Sequence, residues 1–330
     1  MVTKRPIPFS ITPKGRNIAF SLVAGSTVAL SAAQFGAHTF FVNYYKDFVQ
    51  FYSDGQPAAV PMYLQERCNK CMDLLKLPDV HKKLISPFRV YGYDLFHAGT
   101  TFSKFGVAIG IPVNFTYKSV EDMEKDNLQI NQKKVDFTTD AGQKLADSLL
   151  LPEKVQEYAL CREILMTNNY KVMLDATYPF VCIFSAYTFT QWVNQKFQFY
   201  SAPRMLRLCL YSLVSGFTVG CYYLLKDMTQ IYYETETDKK LASMGPEFIE
   251  NGITFYEKLL TRNQVLRELM GKEGETRYSV KGNENYLLRQ PHIALIHRKK
   301  FFEEQLKNSQ DSPGIQEANN VPKSWFNFSM

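Results

Sequence analysis

Residues 17–45 read NIAFSLVAGSTVALSAAQFGAHTFFVNYY, and no Asp, Glu, Lys or Arg interrupts them. A helix rises about 1.5 Å per residue and a bilayer's hydrocarbon core is about 30 Å thick, so roughly 20 apolar residues make one crossing. Two later runs meet the same criterion: 176–195 is charge-free over 20 residues and 208–225 over 18. The run at 176–195 is the most diluted, by Thr177, Ser185, Thr188, Thr190, Gln191 and Asn194, with Pro179 near its start. Trp192, Tyr200, Tyr222 and Tyr223 fall near the ends of the runs, where amphipathic rings favour the headgroup level. Buried helices of a soluble protein, or a cleaved leader at the N-terminus, are the alternatives. The length criterion favours three transmembrane helices, at 18–38, 176–195 and 208–225.

Charge patterning orients them. The net charge of +6 comes from two acid-free patches. The first 45 residues hold Lys4, Arg5, Lys14 and Arg16, residues 196–207 hold Lys196, Arg204 and Arg207, and the rest of the chain is close to balanced. Short segments rich in Lys and Arg stay on the side from which insertion occurs. The tail at 1–17 and the loop at 196–207 are two spans apart, so three helices put both on one side and leave 39–175 and 226–330 on the other. A nucleic-acid binder would instead carry its basic face within a folded domain, so no nucleic-acid partner is expected. A content of 45% hydrophobic and 21% charged residues excludes a disordered or fibrous chain. The mean hydropathy of −0.23 excludes a chain lying mostly in lipid. Six scattered cysteines are too few for a disulfide framework.

Ser21, Gly25, Ala29, Ala33 and Ala37 recur every four residues in the first span, and Ser212, Gly216 and Gly220 repeat the spacing in the third. Such spacing lines small residues along one side of a helix, where another backbone can approach closely. The contact is internal or with another membrane protein, and the plain alternative is that Gly, Ala and Ser are common in spans. His38 is the only ionisable side chain in the three runs. Pumps and carriers need polar groups at mid-membrane, so a transporter is disfavoured except as one part of a larger complex.

The first water-facing segment reads as α+β. Leu64, Cys68, Cys71 and Leu75 form one helical face, which gives the Cys68-Asn-Lys-Cys71 pair a core reading. A redox dithiol is the alternative. A zinc site needs two more ligands, no second pair exists, and His81 is the only nearby imidazole, so no metal is assigned. Residues 88–117 are rich in aromatic and β-branched side chains and broken by glycines, which reads as two or three short strands. The acidic, amide-rich stretch at 121–134 reads as an exposed loop, and helical periodicity returns from Leu145 to Leu165. The C-terminal part is mostly helical. A charged helix at 226–241 continues out of the third span, and Phe248, Gly252, Phe255 and Leu259 share a face. Asn263 is placed to cap a short helix ending at Gly271, 272–278 is a polar turn, an extended strand is expected at 278–280, and a frayed tail beyond Ser309. No G-x-G-x-x-G, G-x-S-x-G or H-E-x-x-H sequence is present, and no catalytic residue or cofactor is assigned.

The run Asn251-Gly-Ile-Thr-Phe-Tyr-Glu-Lys-Leu-Leu260, followed by Asn263, Leu266-Arg267, Leu269, Gly271-Lys-Glu-Gly-Glu275, Tyr278 and Gly282-Asn283, resembles the C-terminal signature of the transmembrane protein 177 family. Gly55-Gln-Pro-Ala58 with Leu64-Gln65, Gly110-Ile-Pro112, Val135-Asp136 with Ala141-Gly142, and Ala159-Leu-Cys-Arg-Glu163 extend the resemblance in order along the chain. The basic, longer N-terminus and the Cys68/Cys71 pair depart from it. The resemblance implies a mitochondrial inner-membrane protein without catalytic activity, with its N-terminus in the matrix and its soluble parts in the intermembrane space. It implies a role in cytochrome c oxidase assembly, through oxidase subunit 2 and its dedicated chaperone.

A membrane scaffold is therefore expected to dock through Ser21, Gly25, Ala29 and Ala33, through Ser212, Gly216 and Gly220, and through Phe255, Tyr256, Leu259 and Leu266 of the 246–275 segment. The competing reading is a thiol-redox factor, or an unrecognised enzyme, using Cys68 and Cys71.

Overall fold

The computed structural model describes residues 9, 12–53, 55–131 and 133–311. The first helix, α1 (Pro13–Ala37), opens with the Thr12 hydroxyl accepting the Gly15 N–H at 3.1 Å and with proline in the first turn, where its missing N–H costs no hydrogen bond. The other two long apolar helices are α8 (Lys171–Lys196) and α9 (Arg204–Ala242). Helix α8 packs against both α1 and α9. Phe20 meets Tyr187 with ring centres 5.8 Å apart, Tyr178 bonds to Thr229, and Asn194 donates to the Tyr211 hydroxyl at 3.0 Å. Those pairings run in opposite sequence directions, so neighbouring helices are antiparallel. Lys14, Arg16, Lys196, Arg204 and Arg207 consequently gather at one end of the layer and the folded α+β unit stands at the other. In each helix's most apolar window no more than 11% of residues are buried. Helices of a soluble core would have those faces covered by protein; here they are open, as spans in lipid are. The chain is a multi-pass membrane protein.

Beyond α1 the chain turns into α2 (Val42–Val49), a small hairpin of β1 (Tyr52–Ser53) and β2 (Gln56–Pro57), then α3 (Met62–Leu74) and α4 (Asp79–Leu84). Strands β3 (Ile85–Val90), β4 (Phe96–Gly99) and β5 (Val107–Pro112) form a sheet in the order β3-β5-β4, with β5 parallel to β3 and antiparallel to β4. The central strand is apolar throughout because both faces are covered: Val107, Ile109 and Ile111 enter the main core, while Ala108 packs with Val42, Phe88, Val90 and Ala98 beneath α2. A Cβ at Gly110 would lie within about 3 Å of Phe96, Val90 and Phe88, so only glycine lets those side chains close over the strand.

Where an exposed loop is expected at 121–134, the structure has α5 (Val120–Lys125) and a hairpin of β6 (Gln129–Ile130) and β7 (Lys133–Lys134). Ser119 and Asp122 make a capping box that starts α5, and Met123 and Leu128 turn inward onto a second core. Helices α6 (Asp140–Leu149) and α7 (Glu153–Thr167) follow, α7 being buried along most of its length before the chain enters α8.

The distal half of α9 leaves the apolar layer and joins α10 (Pro246–Leu269), α11 (Lys272–Arg277) and α12 (Leu295–Asp311). Asn263 caps nothing: it is fully buried inside one continuous α10, and its amide donates to the Gly282 carbonyl at 2.9 Å. The polar turn expected at 272–278 is a short helical one, α11, and the strand expected at 278–280 is a single bridge, Tyr278 to Glu284. The helix α12 runs through Asp311, and the frayed tail expected beyond Ser309 lies from residue 312 onward outside the described residues.

Candidate functional site

The small-residue stripes do not hold the three helices together. Ser21, Gly25, Ala29 and Ala33 are all exposed, as are Ser212, Gly216 and Gly220. A Cβ built on Gly25, Gly216 or Gly220 meets nothing within 4 Å. At about 100° per residue, Gly25 lies about 200° around α1 from Thr27, the buried residue that faces α8. The covered side of α9 is formed instead by Leu210, Val214, Thr218 and Cys221. An internal contact through the glycines is therefore corrected: both stripes point away from α8.

Polar side chains in and near the spans make hydrogen-bonded contacts within the layer. Gln34 bonds to the Tyr222 hydroxyl, Tyr178 to Thr229, and Asn194 to Tyr211, while Tyr200 donates to Gln191 at 2.7 Å. Side-chain hydrogen bonds of this kind join helices in lipid, where lipid itself offers no partner. Gln191 and Asn194 dilute the second run in the sequence, and Tyr200 and Tyr222 stand near span ends; an Asn, Gln or Tyr repeated there is the available signal. The groove between α1 and α8, about 420 Å³ and lined by Thr27, Phe35, Ala176 and Phe180 among others, is apolar and lies within the spans.

The expected docking residues of α10 divide differently. Phe255 and Tyr256 are buried in the main core, where both rings pack on Tyr158, so neither offers a surface to a partner. Leu259 and Leu266 are half-buried, one against each core. The four lie on the face that holds α10 to the domain, and that burial corrects their assignment as a docking patch.

Cys68 and Cys71 are both fully buried on the face of α3 that also carries Leu64 and Leu75. The Cys71 thiol donates to the Glu157 carbonyl at 3.4 Å, and Cys161 is buried in the same core. Burial, with Cys71 beside it, pushes the Cys68 thiol up to about 12. Its hydrogen bond with Cys161 and burial push Cys71 up as well. A nucleophilic or redox-active cysteine needs accessible thiolate, and both trends remove it.

The most polar interior feature lies between α9 and α12. Arg298 places Nε and an Nη at 2.7 Å from the two oxygens of Asp238, and its guanidinium stands 3.7 Å from Glu234. Tyr256 donates to Asp238 at 3.1 Å, and Glu234 also accepts from Gln230 and the Ile293 N–H and lies 2.6 Å from His292. On α7, Glu163 pairs with Arg162 at 2.5 Å and with His97 at 2.6 Å. Burial alone would raise the Glu163 carboxyl; the charge of Arg162 and the bond to His97 outweigh it and hold the group near 2. Every one of these groups is bound to another protein group, which describes a structural clamp. The adjoining cleft, lined by Tyr93, Asp94, Arg162 and Arg262 among others, has a volume of about 100 Å³, well under the ~300 Å³ at which ligand pockets begin. Among the described residues no cluster of His, Cys, Asp and Glu could hold a metal ion.

The family model described as Transmembrane protein 177 matches residues 88–299, from the three-stranded sheet through α8 and α9 into α12. Transmembrane protein 177 of Xenopus laevis is 31% identical over 284 residues, covering 83% of this chain and 87% of its own length. The Danio rerio protein of the same name is 29% identical, covering 82% of this chain and 88% of its own, and the Homo sapiens protein 27% identical, covering 84% and 89%. No solved structure matches the chain. With two spans and the clamp between α9 and α12 inside the matched region, and relatives aligned over most of their length, this chain belongs to the Transmembrane protein 177 family.

Proposed function

We propose that the chain is a non-enzymatic scaffold of the mitochondrial inner membrane that stabilises cytochrome c oxidase subunit 2 and its dedicated chaperone during oxidase assembly. Family membership supports the reading, and one observation carries its mechanism. Helix α8 occupies the middle of the layer, leaving the glycine-bearing sides of α1 and α9 open at Gly25, Gly216 and Gly220. A helix of another membrane protein can approach such a side closely enough for backbone-level packing. In this reading the basic end, with Lys14, Arg16, Lys196, Arg204 and Arg207, stays in the matrix, and the folded unit projects into the intermembrane space. The buried, deprotonation-resistant thiols count against the thiol-redox alternative.

The test is co-purification of the chaperone and subunit 2 with a Gly25→Leu, Gly216→Leu double variant. Both positions are open, so the protein is expected to fold and insert normally while recovery of the partners falls. Unchanged recovery from a correctly inserted variant would end the intramembrane docking proposal.

A further inference from the structure

Between α11 and α12 the chain leaves the extramembrane core and follows α9 toward the apolar layer. The Ile293 N–H donates to Glu234 at 3.0 Å, and His292 lies 2.6 Å from the same carboxylate. A few residues earlier, Arg289 grips Asp227 at 3.0 and 2.7 Å, and its guanidinium sits 4.4 Å from the centre of the Tyr223 ring. Glu234 and Asp227 are two helical turns apart, so this segment descends about 10 Å along α9. Tyr223 lies inside the charge-free run that ends at residue 225. Just before Arg289 stand Leu287 and Leu288, exposed by 95% and 93%, and no other large apolar side chain among the described residues is as exposed.

Aromatic side chains also gather where the other two spans meet the folded unit. Phe102 stacks on Tyr170, which immediately precedes α8, with ring centres 4.3 Å apart; Phe105 meets Phe40, just beyond α1, at 4.5 Å. Aromatic side chains in this position relative to span ends belong to the headgroup region.

We infer that the turn at 286–289 is a lipid anchor, in which Leu287 and Leu288 enter the leaflet bordering the folded unit while Arg289 stays at headgroup level. The occupant is lipid because the turn is continuous with the last apolar turns of α9. Arg289 is long enough to keep its charge at the interface, and its pairing with Asp227 means the anchor needs no anionic lipid. The seat fixes the folded unit against the bilayer along α9.

Single-tryptophan fluorescence tests this on the full chain. With Trp192→Phe and Trp325→Phe removing both native indoles, Leu287→Trp is reconstituted into phosphatidylcholine vesicles brominated near the headgroup end or the tail end of the acyl chains. Its emission is expected to shift to the blue and to be quenched most by the shallow bromines. Phe217→Trp, at an exposed position in the middle of the third run, is expected to be quenched most by the deep bromines. Lys240→Trp, 15 residues beyond the run and exposed, is expected to be quenched by neither. If Phe217→Trp is quenched while Leu287→Trp emits as in water, the anchor is wrong and the spans stand. Blue-shifted but unquenched emission from Leu287→Trp also overturns it, since protein rather than lipid would cover the turn. An unquenched Phe217→Trp overturns the spans and the anchor together.

Discussion

Replacing Arg298 with methionine keeps most of the side chain's length and removes its charge from the most enclosed cluster of ion pairs among the described residues. The Arg298 and Asp238 side chains are 3% and 5% exposed, and Glu234 beside them is 1% exposed. After Arg298→Met, the Tyr256 hydroxyl at 3.1 Å is left as the hydrogen bond to the Asp238 carboxylate, whereas Glu234 keeps His292, Gln230 and the Ile293 N–H. Removing one partner of a buried pair costs about 3–5 kcal/mol, because the other charge remains in a medium that cannot solvate it. Against a domain stability of about 5–15 kcal/mol, the loss is large enough to read directly. Denaturant titration in detergent micelles, followed by labelling of the buried Cys68, Cys71 and Cys161, reports opening of the core to which α12 contributes Phe302. Adding Asp238→Asn keeps an acceptor for Tyr256 and deletes the stranded charge, so the double variant is expected to be the more stable of the two. A loss below about 1 kcal/mol for Arg298→Met, the range of exposed pairs, would refute the clamp. So would a double variant as unstable as the single one.

Acid should act through Glu163. Its carboxyl is held near 2 in the fold against an ordinary 4.5, so the stability it contributes is fully present above pH 4.5 and disappears as pH falls from there toward 2. The contribution is on the order of 3 kcal/mol, and a thermal midpoint that stays level down to about pH 3 would contradict the Arg162–Glu163–His97 arrangement. Gly142→Ala would place a Cβ 2.0 Å from the Asp136 carbonyl oxygen and 2.8 Å from the Phe137 Cα, both backbone atoms, and is expected to cost about 2 kcal/mol or more in the same denaturant assay. Gly25→Ala meets nothing and should be harmless to folding; equal losses at the two glycines would be inconsistent with the packing described. An aqueous thiol reagent should leave Cys68 and Cys71 unlabelled in the native protein and modify them only on unfolding, and labelling of either in the native state, read by mass spectrometry, would restore the redox alternative.

The spans are legible because charge is a near-absolute signal in lipid: a run of 18–20 residues without Lys, Arg, Asp or Glu has few other uses. The face of Leu64, Cys68, Cys71 and Leu75 is legible for a similar reason, since helical spacing survives whatever packs against it. The strands at 88–117 show through their β-branched and aromatic content, and the fully apolar β5 needs two covering layers that the sequence does not announce. Short elements escape. The helix α5 is hidden within an acidic stretch, although Ser119 and Asp122 are a capping signal. Asn263 looks like a helix start because asparagine is a good cap, but its partner, the Gly282 carbonyl, comes from 19 residues away. The candidate site is legible only as a spacing. A stripe of small residues shows which side of a helix is smooth, while the side that α8 covers depends on how three helices are arranged. Phe255 and Tyr256 mislead for the same reason: an aromatic face on α10 looks alike whether it meets a partner or its own core.

Three helices crossing one membrane put both basic segments on one side and the folded unit on the other. With the mitochondrial inner membrane proposed above as its site, protease digestion of intact mitochondria and of mitoplasts, with a tag at each end of the chain, reads this sidedness. The C-terminal tag is expected to be protected in intact mitochondria and digested once the outer membrane is ruptured, with the N-terminal tag resistant until detergent is added. A C-terminal tag that survives in mitoplasts, or an N-terminal tag lost there, would contradict it.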